Sequence, residues 1–155
     1  MLNPLPAALH RALYRITHAV WLRVWRVRRR QLDGVRVVAL DRNGRVLLVR
    51  HSYGSDNWMP PGGGLKPGED PVAAAAREVQ EETACTLTGA RLLSVDIEGL
   101  HGNSNRVGVV VGRIEGEPQV DGREIVEAWC FPLDALPKEI SGALAGKLRD
   151  WAAEI

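Results

Sequence analysis

Two cysteines in 155 residues, Cys85 and Cys130, show neither the density of a disulfide framework nor the spacing of a metal-binding cysteine motif. They are expected to be buried free thiols in a protein of the reducing cytoplasm. The chain also lacks internal repeats and low-complexity tracts. Its N-terminal stretch has no uninterrupted apolar run of membrane length, because Arg11, Arg15, Arg23 and Arg26 break it up, which excludes a transmembrane span there. Nor does it read as a secretory signal, since its charge is spread throughout and does not precede an apolar region. What remains is a length that suits one soluble domain with a real core.

Net charge is close to balance at +1, yet unevenly spread: residues 1–36 hold eight arginines against Asp33, so that part carries +7 and the remainder −6. Within it, Leu9, Leu13, Ile16, Val20, Val24 and Val27 recur at helical spacing and predict a basic amphipathic helix from about Pro6 to Arg30. Its apolar stripe leaves three partners open. It packs on its own domain or on a second copy in a homodimer, lies on an anionic membrane surface, or tracks a nucleic-acid backbone such as RNA. Trp21 and Trp25 suit either a membrane interface or buried anchors. The domain division expected is 1–33 for this helix and 34–155 for the rest.

After it, VRVVAL from Val35 and RVLLVRH from Arg45 are rich in β-branched residues and predict strands, with Asn43-Gly44 between them as a two-residue hairpin turn. Further strands are expected near 86–97, 105–114 and 124–131, then a closing helix over about 138–153. Between residues 60 and 68, Pro60, Pro61, Gly62, Gly63, Gly64, Pro67 and Gly68 place seven backbone-special residues in nine positions. Such a loop permits unusual dihedrals and close approach of the main chain to a ligand. Asp70 followed by Pro71 then reads as an N-cap with proline at the first helical position.

The helix that follows carries Glu78, Glu81 and Glu82 on one face, where like charges three and four apart destabilise by roughly 0.2–0.5 kcal/mol per pair. They also sit in its C-terminal half, where the macrodipole disfavours negative charge by roughly 0.3–1 kcal/mol per group. A divalent cation would reverse both penalties, and clustered hard oxygen ligands suit Mg²⁺ held together with substrate phosphates. A solvated acidic face with Arg77 pairing to Glu81 is the plainer alternative.

The full spacing is more specific. Gly63, five residues, Glu69, seven residues, then Arg77, Glu78, Val79, any residue, Glu81 and Glu82 resembles the signature of the Nudix hydrolases, the MutT-like family. Supporting similarity includes VLLVR before the loop, Trp58 ahead of Pro-Gly-Gly, and AWCFPLDALP near the end, so the resemblance covers roughly residues 34–153. There are departures: Ala84 stands where the family usually has glycine, Cys85 where it has an aliphatic residue, and Pro60 where leucine is common. A left-handed helix end at Ala84 would cost about 1 kcal/mol.

The resemblance implies an α/β fold, an α/β/α sandwich on a mixed β-sheet, here with the extra N-terminal helix. It implies Mg²⁺-dependent hydrolysis of a diphosphate linkage in a nucleoside diphosphate derivative or related nucleotide, with Mn²⁺ able to substitute. By position, Glu78, Glu81 and Glu82 would hold metal, with the Gly62 carbonyl as a backbone ligand and Glu69 in support. Arg77 would orient the carboxylates, and Gly63 would approach substrate. The general base would be a signature glutamate or one on a later loop, where Glu124 is preferred to Glu127. Arg50 would clamp a phosphate, while His51 and Tyr53 would line the pocket; His101 is a weaker candidate. Gly99, Leu100 and His101 fill the window that in some members marks ADP-ribose or dinucleoside polyphosphate substrates, and neither marker is present. The rival readings are an RNA 5′-end pyrophosphohydrolase and a non-enzymatic nucleotide sensor.

Overall fold

The structure, a computed structural model, describes residues 32–100 and 103–155. The expected N-terminal helix, His101 and any role for either lie outside the described residues. The chain runs β1 (Gly34–Leu40), β2 (Val46–His51), β3 (Gly62–Gly64), α1 (Pro71–Thr83), β4 (Thr86–Leu100), β5 (Asn103–Glu115), β6 (Ile125–Phe131) and α2 (Gly142–Ala152). The strands form one sheet in the order β4-β5-β1-β2-β6, with β3 added alongside β1. β1 and β5 are parallel and the other pairs antiparallel, so the sheet is mixed, as expected.

Alternation along β1 decides how the two helices are placed. Val35, Val37 and Ala39 join Ala74, Ala75 and Val79 of α1 in one apolar cluster. Val38 and Leu40 join Leu148 and Ala152 of α2 in another. Because successive strand residues point to opposite faces, one helix covers each face, and central β1 and β2 are buried almost throughout. Among the described residues no helix is long and apolar enough to cross a membrane.

Three local expectations are corrected. The β1–β2 connection is not a two-residue Asn-Gly turn: Gly44 N–H donates to the Asp41 carbonyl at 3.0 Å and Asp41 N–H to the Arg45 carbonyl at 2.9 Å. Asp41 Oδ1 accepts the Asn43 and Arg45 N–H groups at 2.9 Å each. The loop is therefore one residue longer, with positive φ at Gly44 (74°) and not at Asn43. The last helix starts at Gly142 instead of near 138, because the Ser141 side chain accepts the Leu144 N–H at 3.2 Å and caps it there. Cys85 is buried as expected, but Cys130 is only half-buried; both thiols are free, and burial pushes Cys130 up to about 11.

Candidate active site

α1 begins where its sequence dictates. Asp70 accepts the Ala73 N–H at 3.2 Å, Pro71 occupies the first turn, and the helix ends at Ala84 in the left-handed region, φ 59°. Just upstream, β3 lies so tightly on β1 that a side chain on Gly62 would collide with the Val35 carbonyl. A Cβ on Gly63 would lie 2.5 Å from Glu78 Oε1. The glycines thus let the loop backbone meet the helix carboxylates directly.

Arg77 organises most of these carboxylates. Its Nε and Nη2 donate to the two oxygens of Glu69 at 2.9 and 3.0 Å, its Nη1 to Glu78 at 2.6 Å and to Glu81 at 3.3 Å, and its Nη2 also to the Gly64 carbonyl at 3.1 Å. The forked guanidinium suits such convergent binding. Its hydrogen bonds, with that of the Lys66 N–H, hold the Glu69 carboxyl down at about 2, and Glu69 in turn raises Arg77. Both Glu69 oxygens are thereby engaged, one by Arg77 alone and the other by Arg77 and the Lys66 N–H.

Glu82 stands apart. It is 9% exposed, accepts the Gly62 N–H at 3.3 Å, and has no bond to Arg77. Burial, then the charge of Glu78, push its carboxyl up to about 8, with Glu124 and Glu81 adding to the push and the Gly62 bond opposing it. Val37 N–H donates to the Pro61 carbonyl, so by antiparallel alternation the polar groups of Gly62 face away from β1 and toward Glu82. Among the described residues, no three His, Cys, Asp or Glu side chains already converge on one point as a metal cage. In this arrangement Arg77 bonds Glu78 and Glu81.

The later glutamates separate clearly. Glu124, just before β6, accepts the Tyr53 hydroxyl at 2.9 Å, and its carbonyl accepts the Ser52 N–H at 2.9 Å. It is near enough to Glu82 to raise that carboxyl. Glu127 is instead the cross-strand partner of Arg50 and forms an ion pair with it at 2.7 Å. Arg50, the expected phosphate clamp, is thus paired with Glu127, and its guanidinium lies 5.9 Å from the Trp58 ring.

His51 and the β3 glycines line a cavity of about 280 Å³. Sequence reasoning missed three polar residues on its wall, Arg36, Glu98 and Asn105. They belong to three different strands, and no local motif links them. The Tyr53–Glu124 bond, across 71 residues, was equally unreadable.

Comparison with known proteins agrees with this geometry. The mouse diphosphoinositol polyphosphate phosphohydrolase 3-alpha is 47% identical over 55 residues, 36% of this chain and 34% of that protein. The chain thus spans about a third of the length of the curated relatives it matches. Among solved structures, the MutT NUDIX hydrolase from Burkholderia pseudomallei is 28% identical, with a TM-score of 0.62 over 75% of this chain and 94% of that one. A C. elegans Ap4A hydrolase shares the fold at 22% identity, with a TM-score of 0.66 over 79% of this chain and 96% of that one. The sequence matches the NUDIX domain over residues 30–152, a span that contains the glycine strand, the Arg77 hub and the buried Glu82, and the chain therefore belongs to the NUDIX domain family.

Proposed function

We propose that this chain is a hydrolase of phosphoanhydride bonds that acts, with Mg²⁺, on a diphosphate linkage in a nucleoside diphosphate derivative or related nucleotide. The observation that carries this reading is Glu82, a buried carboxylate facing the charges of Glu78, Glu124 and Glu81 while the cation of the cluster, Arg77, bonds other groups. The donor set is all oxygen, which suits Mg²⁺ or Mn²⁺. Glu78, Glu81, Glu82 and the Gly62 carbonyl would hold the ion, after Arg77 releases Glu78 and Glu81. When bound, the ion supplies charge neutralisation of diphosphate oxygens and a more acidic water.

The remaining roles fall to the protein. Gly63 seats the Glu78 carboxylate, and the Glu69–Arg77 pair keeps the last turns of α1 aligned. Glu124, oriented by Tyr53, takes the proton of the attacking water as general base. Residues 34–155 form the hydrolase domain, and the free, buried Cys85 supports a cytoplasmic location.

The test is Glu82→Gln with product identification on a Mg²⁺-supplemented panel of nucleoside triphosphates, ADP-ribose, dinucleoside polyphosphates, sugar nucleotides and triphosphorylated RNA. The wild-type chain should cleave within a diphosphate, and the variant should melt normally yet lose at least about 10²-fold in turnover. Near-normal Mg²⁺-dependent turnover in the variant, or wild-type hydrolysis that survives exhaustive chelation, would overturn the assignment.

A further inference from the structure

β6 is one edge of the sheet and β4 the other, and the two edges are finished differently. β4 is guarded: its pairing with β5 slips between Thr88 and Arg91 and again between Leu92 and Ser94, and it carries Arg91, Asp96 and Glu98. Bulges and charges of that kind keep a free edge from joining another strand. β6 instead pairs regularly from Glu127 to Phe131, and its middle, Ala128-Trp129-Cys130, has no charge, glycine or proline. Trp129 is 63% exposed there, although tryptophan is among the side chains that folding ordinarily covers.

The hydrogen bonds of β2 fix which way the backbone of β6 faces. Val49 exchanges both of its backbone bonds with Met59, at 2.8 and 3.0 Å, on the side of β2 away from β6. Its pairing with Ala128 is therefore a non-hydrogen-bonded one. The N–H and C=O of Ala128, and by alternation those of Cys130, point away from β2, and among the described residues no strand takes them up. This free stretch is bounded at both ends. The register with β2 skips Val126, and Pro132, which has no N–H, follows Phe131.

We propose that this edge is the interface of a homodimer, in which β6 pairs antiparallel with β6 of a second copy about a two-fold axis at Trp129. Symmetry selects the occupant. Trp129 is the midpoint between Val126 and Pro132, and the outward groups of Ala128 and Cys130 lie on either side of it. An axis there lets Ala128 of each copy exchange both backbone bonds with Cys130 of the other, so that none of these groups is left unmet. It also sets Trp129 against Trp129 as a non-hydrogen-bonded pair, where side chains come closest and aromatic pairs stabilise an antiparallel ladder. Charge agrees with this register: Glu127, already paired with Arg50, faces Phe131 of the other copy and not a second Glu127. An unrelated peptide would find the same backbone edge but no reason to share its centre. Residues 127–131 are few against the roughly 20–30 a side of a standard interface, so the dimer is weak and depends on concentration. The inference rests on the sheet and not on the hydrolase reading.

The test is sedimentation of the full chain from about 1 µM to about 1 mM, a range that brackets weak association. The wild-type chain should pass from monomer to dimer. Trp129→Glu and Trp129→Lys, changes at a largely exposed position, should each raise the dimer dissociation constant at least about tenfold, because the axis then sets like charges face to face. An equal mixture of the two variants should associate again as a heterodimer. Amide hydrogen exchange at Ala128 and Cys130 should slow as the wild-type concentration rises. A wild-type chain that stays monomeric throughout, single variants that dimerise like the wild type, or a mixture that does not recover overturns the proposal. So does exchange protection that is equal at every concentration, since the same chain would then cover its own edge.

Discussion

The two described helices are built alike at one end and oppositely at the other. α1 and α2 each start on a side-chain cap, Asp70 and Ser141, and each buries an apolar stripe against the sheet. α2 then finishes as helix electrostatics favour, with Arg149 in its last turn and Ala153 in ordinary helical geometry. α1 gathers Glu78, Glu81 and Glu82 near its negative end, has no basic residue in its last turn, and stops on a left-handed alanine. Arg77 relieves two of the three carboxylates, but Glu82 keeps its unfavourable place. What the contrast teaches is that in α2 packing, capping and end charge all agree, whereas α1 accepts an electrostatic penalty that a bound cation would reverse.

The sharpest way to test that division is at Glu124, which faces the penalised end of α1 from the start of β6. Glu124→Gln should reduce turnover by roughly 10²–10⁴-fold with metal affinity nearly kept, as for a general base. Single-turnover rates beside metal titrations measure this, and a fully active variant would return the base to a signature glutamate. On the α2 side the expected result is the converse. Leu148, fully buried, should cost about 2–5 kcal/mol of stability when changed to alanine, while turnover per folded molecule is retained. If Leu148→Ala changes turnover at full folding, the assignment of α2 to a structural role fails.

Glu82 supplies a pH test. Folded, metal-free protein holds its proton up to about 8, against an ordinary value of 4.5, so between these values the folded chain binds more protons than the unfolded one. Stability from this group is complete below about 4.5 and is lost as pH rises through 8, with a slope of at most about 1.4 kcal/mol per pH unit. Denaturant titrations in chelator should show that decline, Glu82→Gln should flatten it, and an unchanged slope in the variant would place the titration elsewhere. The smallest effect is expected at Ala84. Its positive φ predicts that Ala84→Gly stabilises by about 1 kcal/mol or less, part of the gain being offset by unfolded-state entropy, and a shifted denaturation midpoint would show it.

The elements that carried their own local signals were legible. Asp70-Pro71 marked the start of α1, β-branched runs marked β1, β2 and β5, and the glycine and glutamate spacing marked the site. The turn was misread because a side chain beside it competes for the backbone. Asn43-Gly44 has the sequence of a two-residue turn, but the Asp41 carboxylate captures two backbone N–H groups and lengthens it. The Arg50–Glu127 pairing was not legible either, because strand register sets it across 77 residues of sequence.

From sequence alone followed the family resemblance, the mixed α/β architecture and the residues gathered on one face of α1, because helical and strand periodicities are local properties of the backbone. Tertiary structure alone decided which glutamate is buried, which is held by arginine, and which polar residues share a cavity. Glu78, Glu81 and Glu82 are chemically identical, and they differ only in what the fold brings against them: Gly63 and Arg77, Arg77 and solvent, or Gly62 and a low-dielectric interior. Likewise Arg36, Glu98 and Asn105 meet only because β5 lies between β1 and β4, a pairing that long-range register sets and no local pattern encodes.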